Sequence, residues 1–187
     1  MQVLAATHAS IARRAQRGLT LIEICTALAV AAVLAGTAAP SLDSIKKRRV
    51  LDGTAAEIAN DLQYARSEAV ARNSGVRVTV KNAASGGRCV VVHTGAAADC
   101  DCSADGQAQC TVGAVVLKSH WFPAQSAVAV TSNVSSMRFD PVRGTVTPAG
   151  TLSVALDNGN AVHHVVHPMG RVRSCSPGGT VPGYKSC

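Results

Sequence analysis

Aromatic residues are almost missing from this chain: two Phe, two Tyr and one Trp occur among 187 residues. A core cannot be organised around packed rings, so it has to be built from Val, Ala, Leu and Ile. Acidic residues are missing from positions 1–18, MQVLAATHASIARRAQRG, which hold Arg13, Arg14 and Arg17 instead. No C-x-x-C pair exists, which argues against a zinc site despite seven cysteines. No serine elbow, paired carboxylates or histidine-flanked nucleophile stands at a diagnostic spacing, so an enzyme is not expected, nor is a cofactor or metal. No internal repeat recurs. The formal charge of +7 permits polyanion binding without requiring it.

What is present begins with an apolar stretch. From Leu19 to about Ala39 the chain is long enough, at roughly 20 residues, to span a bilayer. The preceding arginines orient residues 1–18 to the cytoplasm and the chain after Pro40 outward. Within that stretch stands Glu23, a carboxylate where lipid makes charge expensive. Such residues are as a rule functional and have a partner.

Gly18 followed by LTLIE resembles the type III signal sequence of type IV pilins and type II secretion pseudopilins. Counted from Leu19, Glu23 is the fifth residue and Pro40 the twenty-second, the family's positions for both; Leu19 departs from the commonest Phe. The resemblance implies that a prepilin peptidase cuts between Gly18 and Leu19 and that the new amine of Leu19 is methylated. It further implies that Glu23 faces the amine of a neighbouring subunit in a filament, a counter-charge supplied by assembly. The partners implied are the peptidase, other major and minor pilins or pseudopilins, and the inner membrane. The protein would sit as a single-pass inner-membrane protein with a periplasmic C-terminal domain, and then in a pilus or pseudopilus.

Beyond the span, Leu51, Ala55, Ile58, Leu62, Ala65 and Ala69 recur at helical spacing. Arg72–Gly75, RNSG, supplies the stop, because Asn and Gly tolerate the left-handed conformation that ends helices. Pro40 is expected to kink the helix without ending it. DLQYARSEAVARNSGVRVTV, Asp61 to Val80, resembles the GspH/FimT group of minor pilins, in which an ARSEA-type helix end leads into the first strand. After Gly75, VRVTVKN, CVVVHT, AVVLKS, AVAVTS, MRFDP, GTVTP, TLSVAL and AVHHVVHP read as short strands, and DNGN (Asp157–Asn160) as a hairpin turn. The expectation is an α+β chain of type IV pilin fold, a long helix packed on an antiparallel sheet pair or sandwich. Ala55, Ala59 and Ala65 would let strands approach closely. The parts are a leader at 1–18, a transmembrane segment at 19–40, the periplasmic half of the helix at 41–74 and a β-rich domain at 75–187.

Cys25 lies inside the apolar stretch as a small apolar residue. Cys89, Cys100, Cys102, Cys110, Cys175 and Cys187 form an even set of six in an exported domain, which predicts three disulfides in an oxidising compartment. Cys175 and Cys187 are each other's only C-terminal neighbours and are expected to pair; the other four allow three pairings. Asp99, Asp101 and Asp105 do not keep calcium-loop spacing, so DCDCSADGQAQC reads as a disulfide-pinned hairpin tip.

The C-terminal segment His167–Cys187 contains no acid. In an extended strand Arg171 and Arg173 point to one face about 6–7 Å apart, while Val172 points to the core. That spacing suits adjacent phosphates, and a bridge between Cys175 and Cys187 would pre-order the loop carrying Lys185 and Tyr184, a ring able to stack on a base. GRVR before a cysteine-closed tail resembles the C-terminal element of FimT-type pilins, which implies sequence-independent DNA binding for uptake in transformation. Arginines protecting an edge strand would look the same. A structural subunit of a pilus, or a pseudopilin of a type II secretion system, is therefore the alternative.

Overall fold

The structure, a computed structural model, describes residue 18 and residues 20–187, with backbone alone at residues 37–41. The leader arginines and Leu19 lie outside the described residues. The chain divides into two units, Met1–Asp43 and Ser44–Cys187.

In the first unit, helix α1 (Leu21–Ala71) starts directly after Thr20. The Glu23 N–H donates to both Thr20 Oγ1 (3.3 Å) and Thr20 O (3.1 Å), so a threonine side chain caps the first turn. Leu21, Ile22, Leu28, Val30, Val33 and Leu34 are exposed. Among the described residues, no helix is long and apolar enough to cross a membrane. The expected span therefore gains no support from the fold. The chain is helical on both sides of position 40, so Pro40 does not end α1.

In the second unit, α1 continues to a defined stop. Asn73 takes the left-handed conformation (φ 48°), the Asn73 N–H donates to Val70 O, and the Ser74 N–H reaches back to Ala69 O. These two bonds satisfy carbonyls that the last turn leaves orphaned. Leu51, Ala55, Ile58, Leu62, Ala65 and Ala69 are all buried on one stripe, whereas Ala59 is only half-buried. Truncating a stripe residue such as Leu62 to Ala would cost about 2–5 kcal/mol.

Eleven strands follow: β1 (Val76–Asn82), β2 (Arg88–Thr94), β3 (Cys100–Cys102), β4 (Ala108–Cys110), β5 (Val116–Phe122), β6 (Val128–Ser132), β7 (Ser136–Phe139), β8 (Val146–Thr147), β9 (Gly150–Leu156), β10 (Ala161–Val166) and β11 (Val172–Cys175). They form a five-stranded sheet ordered β5-β2-β1-β7-β8, a four-stranded sheet ordered β11-β10-β9-β6, and the small hairpin β3-β4. Every named pairing is antiparallel. The architecture is α+β, a long helix packed on antiparallel sheets. One core takes the helical stripe together with Val76, Val78, Val90 and Val92 of the first sheet and Val130, Leu152, Val154 and Val162 of the second.

β2 is buried on both faces, which explains its unbroken CVVV run. Val90 and Val92 face the main core, while Cys89 and Val91 face a small cluster closed by Cys100 and Trp121. Disulfides Cys89–Cys102 and Cys100–Cys110 staple the β3-β4 hairpin over that second face. The acids of this hairpin are occupied locally: Asp99 Oδ2 accepts from the Ala96 N–H (2.6 Å) and Asp101 Oδ1 from the Cys102 N–H (2.9 Å).

A buried carboxylate fastens α1 to the edge strand β5. Asp61 is 1% exposed; its oxygens lie 2.9 Å from Lys118 Nζ and 2.6 Å from His120 Nε2. Glu57 approaches His120 Nδ1 at 3.2 Å, and the Lys118 ammonium sits 4.6 Å above the Tyr64 ring. Burial pushes the Asp61 carboxyl up, but the hydrogen bonds and charges of His120 and Lys118 outweigh it and hold the carboxyl below its ordinary value. His120 is correspondingly raised, chiefly by Asp61.

Candidate nucleic-acid interface

The turn after β10 sets the register of the basic motif. The Gly170 N–H donates to His167 O (2.7 Å) and the His167 N–H to Arg171 O (2.9 Å), which returns the chain as β11 beside β10. Val165 then pairs with Arg173, and Val166 with Val172. β11 is an edge strand. Val172 packs against the main core, whereas Arg173 is exposed and alternates with it, which places it on the outer face; Arg171, one residue before the strand, is exposed and lines a groove beside α1. Among the described residues neither pairs with a carboxylate.

The tail is bound to the end of this strand. Cys175 is bonded to Cys187, closing a segment that contains a single 3-10 turn, Pro177–Gly179. The Ser176 N–H donates to Lys185 O (2.8 Å) and the Cys187 N–H to Ser176 O (3.2 Å). Arg173 Nη2 donates to Ser186 O (3.2 Å), so this guanidinium also braces the tail. Lys185 is exposed. At about 3.3 Å per residue, Ser176 and the Lys185 backbone beside it lie roughly 16 Å from Arg171. Arg171, Arg173 and Lys185 are thus three exposed cations of one C-terminal segment.

Tyr184 is placed otherwise than the sequence suggests. It is half-buried against the main core, and burial raises its hydroxyl above the ordinary phenol value. A ring packed this way is not a free stacking platform. The tail is held from below by Val181, which is buried, and by Arg48 Nη2 donating to Pro182 O (3.1 Å).

β11 is also clamped to β10 through side chains. His164 is 1% exposed, and its Nδ1 lies 2.9 Å from Ser174 Oγ. Burial, with a smaller effect of the neighbouring His163, drives this imidazole down to about 4. It is neutral wherever the rest of the chain is folded and near neutrality.

Of the residues expected to serve processing and assembly, Gly18 is exposed with open space around it, and Glu23 is exposed in the first turn of α1, where the helix dipole favours an acid. Sequence reasoning missed the Asp61–Lys118–His120 network and the surroundings of Arg66. Asp61 and His120 are far apart in the chain, and no local period marks their meeting.

Comparison with known proteins gives these features a family. The family model described as type II transport protein GspH matches residues 54–170. No curated protein matches the chain. Among solved structures, the chain is similar to the type IV minor pilin FimU of Pseudomonas aeruginosa in two crystal forms. The first, in space group P21, is 20% identical, with 75% of this chain and 98% of that one covered at a TM-score of 0.46. The second, in P65, is also 20% identical, with 72% and 98% covered at 0.42.

The fold is a long helix laid on antiparallel sheets. The chain belongs to the GspH family, the minor pilins and pseudopilins of type IV pili and type II secretion systems.

Proposed function

We propose that the chain is an inner-membrane minor pilin that binds DNA without sequence preference through its C-terminal edge strand, for uptake in transformation. Prepilin peptidase cuts Gly18–Leu19, Leu19 is N-methylated, the apolar segment 19–40 anchors the chain, and Glu23 pairs with the amine of a neighbouring pilin during assembly. The observation that carries the DNA reading is the exposed pair Arg171 and Arg173, one at the entry to an edge strand and one within it, whose flanking tail has no acid and is closed by Cys175–Cys187. Two guanidinium groups at strand spacing meet consecutive phosphates, and a tail already ordered loses less entropy on binding.

The test is a mobility shift with duplexes of unrelated sequence. Arg171→Gln with Arg173→Gln removes both charges and leaves Val172 in the core, so circular dichroism stays unchanged. The slope of log affinity against log salt should fall by about 1 per lost phosphate contact. Retention equal to wild type across the salt series would remove the DNA reading. A second reading, a pseudopilus subunit of a type II secretion system acting only through protein contacts, is favoured by the description of the family model itself. Secretion lost on deletion, with DNA uptake intact, selects it.

A further inference from the structure

One arginine outside the tail shares its surroundings. Arg66 projects from α1 into a groove of about 670 Å³ whose walls include Gln63, Ser67, Val70, Arg171 and Val172. Several other cations of this helix are paired: Arg72 with Glu68 at 2.6 Å, Arg48 with Asp52 at 3.9 Å and Lys47 with Asp157 at 3.3 Å. Among the described residues, Arg66 has no carboxylate partner.

Its guanidinium lies beside two turns that touch each other. Gly170 (φ 75°), directly before Arg171, lies against the carbonyl of Gly144 (φ 61°) in the turn after β7; a side chain at Gly170 would strike that oxygen. Arg66 Nε lies 3.0 Å from the place a Cβ would take on Gly144 and 3.1 Å from the one on Gly170. Bare backbone at both turns lets the guanidinium settle over them. A charge seated on two glycine turns has less side-chain freedom to lose on meeting a ligand than one waving in solvent.

We infer that Arg66 is a further DNA-contacting residue, which takes a backbone phosphate where the strand tracked by Arg171 and Arg173 crosses the mouth of the groove beside α1. The inference rests on the DNA reading above. It extends the site from the tail to the helix and commits the groove to a polyanion backbone. An acidic segment of another subunit is the competing occupant.

The experiment uses the full chain in a non-ionic detergent with a fluorescein-labelled 30-base-pair duplex, followed by anisotropy from low to high salt. A contact contributing about 0.9 to the salt slope is worth about tenfold at 50 mM salt relative to 1 M. Arg66→Gln should therefore weaken binding by about tenfold at low salt and lower the slope by about 1, while Arg66→Lys keeps most of both. Ser67→Glu sets a negative charge in the same groove without touching Arg66, and should weaken binding as well, which guards against a folding defect in the Gln variant. Unchanged binding by Arg66→Gln and Ser67→Glu, with binding lost in the Arg171/Arg173 double Gln variant, overturns the inference and leaves the basic strand standing. Unchanged binding in all three removes the DNA reading and this inference together. Loss of filament incorporation by Arg66→Gln with normal DNA binding assigns the groove to a protein partner and also overturns the inference.

Discussion

The clamp between β10 and β11 makes a quantitative prediction about acid. His164 is neutral in the folded chain because its imidazole is buried and bonded to Ser174, and it titrates near 4 rather than near 6.5. Above pH 6.5 neither folded nor unfolded chain holds the proton, and His164 adds no pH dependence. Between 6.5 and 4 the unfolded chain binds it and the folded chain does not, so stability falls as pH falls, by about 1.4 kcal/mol per unit. By pH 4 the loss from this one residue reaches about 3 kcal/mol. With a urea m-value of about 2 kcal/mol/M, the midpoint drops by roughly 1.5 M. The assay is urea unfolding of the segment from Ser44 onward, followed by circular dichroism between pH 4 and 7.5, against His164→Gln. Glutamine keeps a hydrogen-bonding group near Ser174 and cannot titrate. Carboxylates such as Asp61 also lower stability in acid, but they do so in both proteins, so the difference between the two curves isolates His164. Parallel curves would refute the reasoning: the imidazole would then be reached by water and charged like any exposed histidine.

Four further outcomes are expected. Asp61→Asn leaves Lys118 and His120 facing a neutral amide and should cost about 2 kcal/mol at pH 6, less than a fully buried ion pair because Lys118 is partly exposed; the network is strongest between its two titrations, since the depressed Asp61 loses its contribution as pH falls through its folded value and the raised His120 loses its own as pH rises through its folded value, which a bell-shaped difference in thermal midpoint would report. Mass spectrometry of the mature chain should find N-methyl-Leu19 and a formal charge reduced from +7 to +4 by loss of Arg13, Arg14 and Arg17; an N-terminus at Met1 or Ser41 contradicts the processing. Glu23→Val should insert into the membrane as well as the wild type yet fail to enter filaments in a pull-down of sheared pili. Replacing Cys175 and Cys187 by Ser releases a 12-residue separation and should lower stability by about 2–3 kcal/mol in chemical unfolding, with the Lys185 end of the basic edge weakened in DNA retention.

Elements that answer to a short local period were legible in the chain. The stripe from Leu51 to Ala69 is spaced by the helix itself, and β9 alternates buried and half-buried residues along GTLSVAL. Asn73 could be read as a stop because few other side chains accept its conformation. What could not be read depends on distant partners. β3 and β4, three residues each, were legible as a disulfide-pinned tip, but not the connectivity, in which Cys100–Cys110 joins the two strands and Cys89–Cys102 ties β3 to β2. Tyr184 was legible as an aromatic ring in a basic tail, but its packing follows from where Val181 and Pro182 anchor the loop. At the candidate interface the alternation Arg-Val-Arg revealed the exposed Arg171 and Arg173, while nothing in the helical sequence marked Arg66, whose surroundings are turns distant in the chain.

Under the proposed DNA reading, the features that make β11 a poor partner for another strand would also suit it to a polyanion. An edge strand exposes unpaired backbone groups, and charge on it discourages further pairing. Protection alone, however, asks nothing of the tail. Here the strand is bonded to β10 by side chains as well as ladder, its end is closed by Cys175–Cys187, and Arg173 donates to Ser186 O within the loop so closed. The first two order the strand and its tail, and the third holds the Arg173 guanidinium itself. A guanidinium that only needed to repel a neighbouring strand could remain mobile; one that must meet a phosphate at a set position gains affinity from being held. The arrangement therefore weighs toward binding over edge protection. Salt distinguishes the two directly, because repulsion between edges grows as salt is withdrawn and never yields a retained complex, whereas phosphate contacts yield one whose affinity climbs with a slope set by the number of cations engaged.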